Sequence, residues 1–232
     1  MKITKLLPLV ILSVFILSAC SNNENLLTDA EQKSSLKSYK VKRDASGAYS
    51  LDYELESDVK SQAINNLETN TNEFHLYQSG FANNVSKQTQ ELFIDGNQLS
   101  IGFVDTRTEN ISNITIEDDF VSSIKKTSAK GTEMLSKYSI TRNEEGLFDL
   151  NFEVNNQVAV NFKLVEETGI YEIHLQEGKS SETVFSRSLT KTAGEPLRID
   201  FVNHIENNAA AKGADASSSV RRKPRIIVSG GM

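Results

Sequence analysis

The feature that most restricts this chain is that it contains itself twice. Residues 39–59, YKVKRDASGAYSLDYELESDV, align without a gap on residues 138–158, YSITRNEEGLFDLNFEVNNQV, at an offset of 99. Tyr39, Arg43, Gly47, Leu51, Glu54 and Val59 recur as Tyr138, Arg142, Gly146, Leu150, Glu153 and Val158. The register holds further along, where Glu73, His75 and Leu76 recur as Glu172, His174 and Leu175. After a one-residue slip, DGNQLSIGFVD (95–105) matches AGEPLRIDFVN (193–203). Seventeen identities over about 66 aligned positions, in a sustained register, mark a repeated structural unit.

Each copy is written in β-strand code. Tyr49, Leu51, Tyr53 and Leu55 alternate with polar residues, as do Phe148, Leu150, Phe152 and Val154. The same period of two runs through Val158–Leu164, Tyr171–Leu175 and Leu197–Phe201. Such segments are half-buried strands with one wet face. The first hairpin can be placed more tightly. Val41 and Leu51 must share a face, and a three-residue loop, Ala45-Ser46-Gly47, satisfies this with Gly in the left-handed position. Glu144-Glu145-Gly146 fits the same slot. Tyr39 then faces Tyr53, Arg43 faces Tyr49 and Arg142 faces Phe148, each Arg able to lie across its ring. Asp95-Gly96-Asn97 is a further turn signal. Val59–Leu67 lacks the alternation of its counterpart and reads as a poor edge strand or a short helix.

The expected class is all-β: an internally duplicated antiparallel module. The copies form either two packed sandwich-like units or one pseudo-symmetric barrel or sandwich. No helical crossover suggests parallel strands. Units of this size without disulfides are marginal alone, so the copies should pack together. The expected layout is a leader (1–19), a polar tether (20–38), repeat 1 (39–105), a linker (106–137), repeat 2 (138–203) and a tail (204–232). The linker holds a possible strand at Ile114–Ile116 and a possible short helix at Asp119–Lys125. The tail, rich in Ala, Ser, Gly and Asn, reads as disordered. Its basic cluster, Arg221–Arg225, is either free in solvent or set against anionic lipid or glycan.

The N-terminus is an address. Lys2 and Lys5 precede an apolar run, Leu6–Leu17, too short to span a bilayer as a helix. Leu17-Ser18-Ala19-Cys20 follows, and Cys20 is the only cysteine among 232 residues. These twenty residues resemble the signal peptide and lipobox of bacterial lipoproteins. The resemblance implies that Cys20 becomes an acylated N-terminus holding the protein at a membrane. It also implies a cell-envelope location. Ser21, rather than Asp, after the Cys is compatible with the outer membrane or cell surface. With Cys20 used, no disulfide is possible within the chain, and packing alone must hold the fold.

Chemistry is sparse. Glu73 with His75, and Glu172 with His174, sit two apart on strands and so share a face. A carboxylate beside an imidazole can begin a metal site, but two ligands do not complete one. Glu117-Asp118-Asp119 lacks the spaced oxygens of a calcium loop and reads as a solvated helix start. No Walker loop, dinucleotide fingerprint, serine elbow or His-Glu-x-x-His motif occurs, and no cofactor is implied. The net charge of −6 argues against nucleic acid. The expected role is therefore non-enzymatic: a lipid-anchored envelope protein displaying a β-module for binding, adhesion or envelope organisation. Its partner would be a protein or glycan of unstated identity. The alternative is a carrier of lipid or a small apolar ligand in a barrel cavity. A third reading, a metal-dependent enzyme, would act through the two Glu-His pairs.

Overall fold

The period-two runs become fourteen strands. A computed structural model describes residues 34–80, 87–92, 94, 96–106, 111–118, 134–205 and 219–230. Cys20, the leader, the tether as far as residue 33 and the Asp119–Lys125 helix lie outside the described residues. The first copy supplies β1 (Leu36–Arg43), β2 (Tyr49–Leu55), β3 (Val59–Asn66), β4 (Thr71–Gln78), β5 (Lys87–Glu91), β6 (Gln98–Asp105) and β7 (Ile111–Glu117). The second supplies β8 (Leu135–Arg142), β9 (Phe148–Val154), β10 (Val158–Val165), β11 (Ile170–Glu177), β12 (Val184–Leu189), β13 (Leu197–Ile205) and β14 (Ser219–Gly230). There is no helix among the described residues.

The strands form two sheets. One has six strands in the order β12-β9-β8-β1-β2-β5, the other eight in the order β10-β11-β13-β14-β7-β6-β4-β3. Each sheet is a half from one copy joined edge to edge with a half from the other. The joins are β1 with β8, where Val41 faces Ile140, and β7 with β14, where Thr115 faces Ile227. Both joining pairs are antiparallel and centred on equivalent residues. The copies are thus related by a pseudo-two-fold running through both sheets. Of the two arrangements the sequence left open, the molecule is one pseudo-symmetric sandwich.

Several expectations are corrected. Pairing is not purely antiparallel, because β4 runs parallel to β6 and β11 to β13. The intervening strand, β5 or β12, lies in the opposite sheet and makes the crossover that a helix makes in other folds. The segment 106–137 is not simply a linker: β7 belongs to the first copy and β8 begins at Leu135. β1 begins at Leu36, inside the expected tether. Of the two readings of Val59–Leu67, the edge strand is the one found, as Val59–Asn66 with its outer positions exposed. The expected disordered tail contains β14, a central strand paired on both sides, to β13 and β7. Pro224, Ile226 and Val228 face inward on it and are buried. That burial is the physical reason the segment is ordered despite its composition.

The first hairpin has the predicted register, with Tyr39 facing Tyr53, Val41 facing Leu51 and Arg43 facing Tyr49. Gly47 and Gly146 sit at φ 86° and 80°, which a side chain would strain. Asp44 Oδ1 accepts from Ser46 N at 2.8 Å and Ala48 N at 2.9 Å, closing the loop.

The space between the sheets is filled with rings and branched aliphatics. Tyr39 stacks on Phe103 at 5.6 Å, and Phe103 meets Tyr53 and Phe74 at 6.0 and 5.5 Å. In the second copy Phe152 meets Phe201 at 5.4 Å and Phe185 at 5.1 Å. Val41, Leu51, Ile140, Leu150, Ile114, Ile116 and Ile226 are fully buried between them. Each such side chain contributes about 1.5–3 kcal/mol of burial.

A polar cluster sits inside this core, and it corrects two more expectations. Asp118 is buried, not a solvated helix start. Arg43 does not lie across a ring as its main contact; its Nε is 2.9 Å from Asp118 Oδ2, both side chains being 5% exposed or less. Tyr49 Oη donates to Asp118 at 2.7 Å and is 2.8 Å from Tyr138 Oη. Burial, reinforced by the neighbouring Tyr138 and Asp118, pushes the Tyr49 hydroxyl far above its ordinary range. Burial does the same to Tyr138. Both hydroxyls therefore stay protonated and available as donors.

The two-fold exposes a missing half. Ile101 and Ile199 pair with Ile114 and Ile226, so β7 and β14 correspond at an offset of 112. Arg142, Phe148, Tyr39 and Gly230 then occupy the positions of Arg43, Tyr49, Tyr138 and Asp118. Tyr39 and Phe148 keep the edge-on ring geometry, at 6.5 Å and 65°, of Tyr138 and Tyr49, at 6.1 Å and 73°. Phe148 has no hydroxyl, and Tyr39 Oη is buried with no hydrogen-bond partner among the described residues.

Candidate functional site on the eight-stranded sheet

In a strand, alternate side chains point to opposite faces. Phe74 and Leu76 point inward, so Glu73 and His75 point outward from the eight-stranded sheet. Ile173 and Leu175 do the same for Glu172 and His174. The two pairs stand on β4 and β11, separated by five strand spacings. At about 4.8 Å per spacing they are some 24 Å apart and cannot share one ion. The structure places the four residues as the sequence expected but does not bring the pairs together.

Their surroundings differ. On β4, His75 Nε2 is 2.9 Å from Glu73 Oε2, and Asn66 donates to Glu73 Oε1 at 2.8 Å. The hydrogen bond from His75, then that from Asn66, holds the Glu73 carboxyl below its ordinary 4.5 against a smaller opposing effect of burial. Among the described residues no other side chain hydrogen-bonds to Glu73 or His75.

On β11 the same motif is the centre of a network. His174 Nε2 is 3.0 Å from Glu172 Oε2, and His174 Nδ1 is 2.8 Å from His204 Nε2. Arg222 donates to Glu172 Oε1. Burial raises the Glu172 pKa, but the hydrogen bonds from Arg222 and His174 outweigh it and leave the carboxyl lowered. Beside it, Arg225 forks onto Asp200, Nε to Oδ1 at 2.8 Å and Nη2 to Oδ2 at 3.1 Å. Asp200 is 2% exposed, and its hydrogen bonds hold the Arg225 pKa up.

The protons in this chain follow from chemistry. A carboxylate only accepts, so His174 Nε2 carries hydrogen and donates to Glu172. In the tautomer with hydrogen on Nε2 alone, His174 Nδ1 is bare and accepts from His204 Nε2–H. The ring centroids are 5.2 Å apart, close to the nitrogen separation plus the two ring radii, and the planes differ by 23°. The imidazoles therefore meet end to end.

His204, Arg222 and Arg225 were not singled out for this role by the sequence. Val104 and Val202 pair with His75 and His174 respectively, so the counterpart of His204 is Thr106. Asp200 and Arg225 likewise correspond to Gly102 and Asn113. The repeat signal hides these differences because it weights what the copies share. A usable clue existed: Ile199 and Phe201 point inward, so Asp200 and His204 point outward. It becomes informative only once β11 and β13 are known to be neighbours. The basic cluster at Arg221–Arg225 is neither a free tail nor a lone patch, since two of its members are ion-paired within the sheet.

Comparison with known proteins finds no matching family model, no matching curated protein and no matching solved structure.

Proposed function

We propose that this is a lipid-anchored cell-envelope protein that presents a rigid, duplicated β-sandwich for binding at its surface. The observation that carries the reading is the filled interior. Rings and branched aliphatics from both sheets interlock where a carrier would keep a chamber. Two depressions open at the surface. One, of about 700 Å³, lies beside the Glu166–Gly169 turn with Tyr171, Lys191 and Arg198. Another, of about 780 Å³, opens along the six-stranded sheet, where Lys42 and Asn151 line it beside the buried Arg43, Tyr49, Tyr138 and Phe152. On the outer face, polar differentiation lies on the second copy's half of the eight-stranded sheet. The lipobox-like leader supports attachment through Cys20 and supports an envelope location.

Two experiments test this. Changing Cys20→Ala should leave a precursor that no longer takes up labelled palmitate or partitions into detergent. Unchanged partitioning would place the anchor elsewhere. Protein purified from its host should release no stoichiometric lipid on organic extraction and mass spectrometry. Recovery of one apolar molecule per chain would overturn display in favour of a carrier.

A further inference from the structure

We infer that the end-to-end imidazoles of His174 and His204 form a binding site for a borderline divalent transition-metal ion, of the Cu²⁺, Ni²⁺ or Zn²⁺ class. Two ring nitrogens, Nδ1 of His174 and Nε2 of His204, point at each other across 2.8 Å. One proton occupies that gap. Their lone pairs lie close to one line, so an ion at about 2.0–2.1 Å from each nitrogen sits between the rings, trans to both, with the gap opened by about 1.2–1.4 Å. The exchange balances without an external base. His204 shifts its hydrogen from Nε2 to Nδ1, both rings stay neutral, and both lone pairs reach the ion.

The outer shell is already in place. His174 gives its other N–H to Glu172 at 3.0 Å, the carboxylate–histidine–metal arrangement that fixes a ring's tautomer and raises its basicity. Arg222 holds the second oxygen of that carboxylate. Glu172 thus acts behind the ligand, not as one. Among the described residues no third His, Cys, Asp or Glu converges on the point, so water completes the coordination. Two imidazoles and water suit nitrogen-seeking ions and give Mg²⁺ or Ca²⁺ nothing to prefer.

The molecule carries its own control. His75 has the same carboxylate behind it, Glu73, but Thr106 stands where His204 would be. The first half should not bind.

The test is titration of the purified full-length protein with Cu²⁺, Ni²⁺ and Zn²⁺ separately, at neutral pH, by calorimetry. One equivalent should bind, with Cu²⁺ tightest. His204→Ala and His174→Ala should each abolish it, Glu172→Gln should weaken it ten- to a hundred-fold, and His75→Ala should leave it unchanged. Electron paramagnetic resonance of Cu²⁺ on the unmodified protein gives an answer independent of any variant's folding. Two coupled imidazole nitrogens are expected. Absence of binding by all three ions, a spectrum with fewer than two nitrogens, or binding that survives His204→Ala in a folded variant would each overturn the site.

Discussion

Tyr39 and Tyr138 are equivalent residues with opposite circumstances, and the difference is one oxygen atom on a neighbour. Tyr138 finds Tyr49 Oη; Tyr39 finds the ring edge of Phe148. An unpaired buried hydroxyl is a standing penalty, so Tyr39→Phe should leave stability unchanged or raise it by about 1 kcal/mol in urea unfolding. Phe148→Tyr should recreate the bond, and a double-mutant cycle with Tyr39→Phe should show coupling of about 1 kcal/mol. Zero coupling would mean the two halves diverge more than their ring geometry indicates. On the other side of the two-fold, Asp118→Asn strands the buried Arg43 charge and should destabilise by about 3–5 kcal/mol, far beyond an exposed carboxylate. Glu73 makes a pH prediction. Its folded pKa lies below 4.5, so its contribution is present above 4.5 and is lost as pH falls through the lower folded value. The urea midpoint should therefore drop as pH falls below 4.5, and drop less in Glu73→Gln.

At the scale of elements, β14 separates composition from structure. Its sequence, SVRRKPRIIVSG, looks like a basic tail, yet it closes the eight-stranded sheet between β13 and β7. Removing residues 206–232 would uncover two strand edges and the apolar positions facing Ile226 and Val228. Such a chain should lose its cooperative unfolding transition, read by circular dichroism against urea. A sharp transition near the parent's midpoint would show β14 to be dispensable. The repeat offset also fails here. The span between β13 and β14 is longer than that between β6 and β7, so an alignment at 99 or 98 runs out before the last strand. The strands the duplication covers with recurring inward residues, β1, β2, β4 and β6, were legible for that reason, whereas β3 lacks the alternation of β10 and stood between an edge strand and a helix. β7 was legible only as the possible strand at Ile114–Ile116 and not as part of the repeat, lying beyond the slip, and β5 was not, being short and polar.

At the scale of the molecule, each copy builds three strands of one sheet and four of the other, and leaves β1 or β8 and β7 or β14 with an open edge. Neither fragment, 34–118 or 134–232, should fold alone, and mixing them should restore a β-rich circular dichroism spectrum. A folded single fragment would show that the halves are separate domains joined by chance. The chain itself determined the class, the hairpin register, the inward and outward residues and the lipobox-like leader, because period-two alternation, left-handed glycines and local spacing act over a few residues. Tertiary structure alone decided that the copies share both sheets, that β4 and β6 run parallel through a strand of the opposite sheet, that Arg43 meets Asp118 and that His174 meets His204. Those partners lie 30 to 75 residues apart along the chain. No local rule encodes such contacts; they exist only once strand order places their faces side by side.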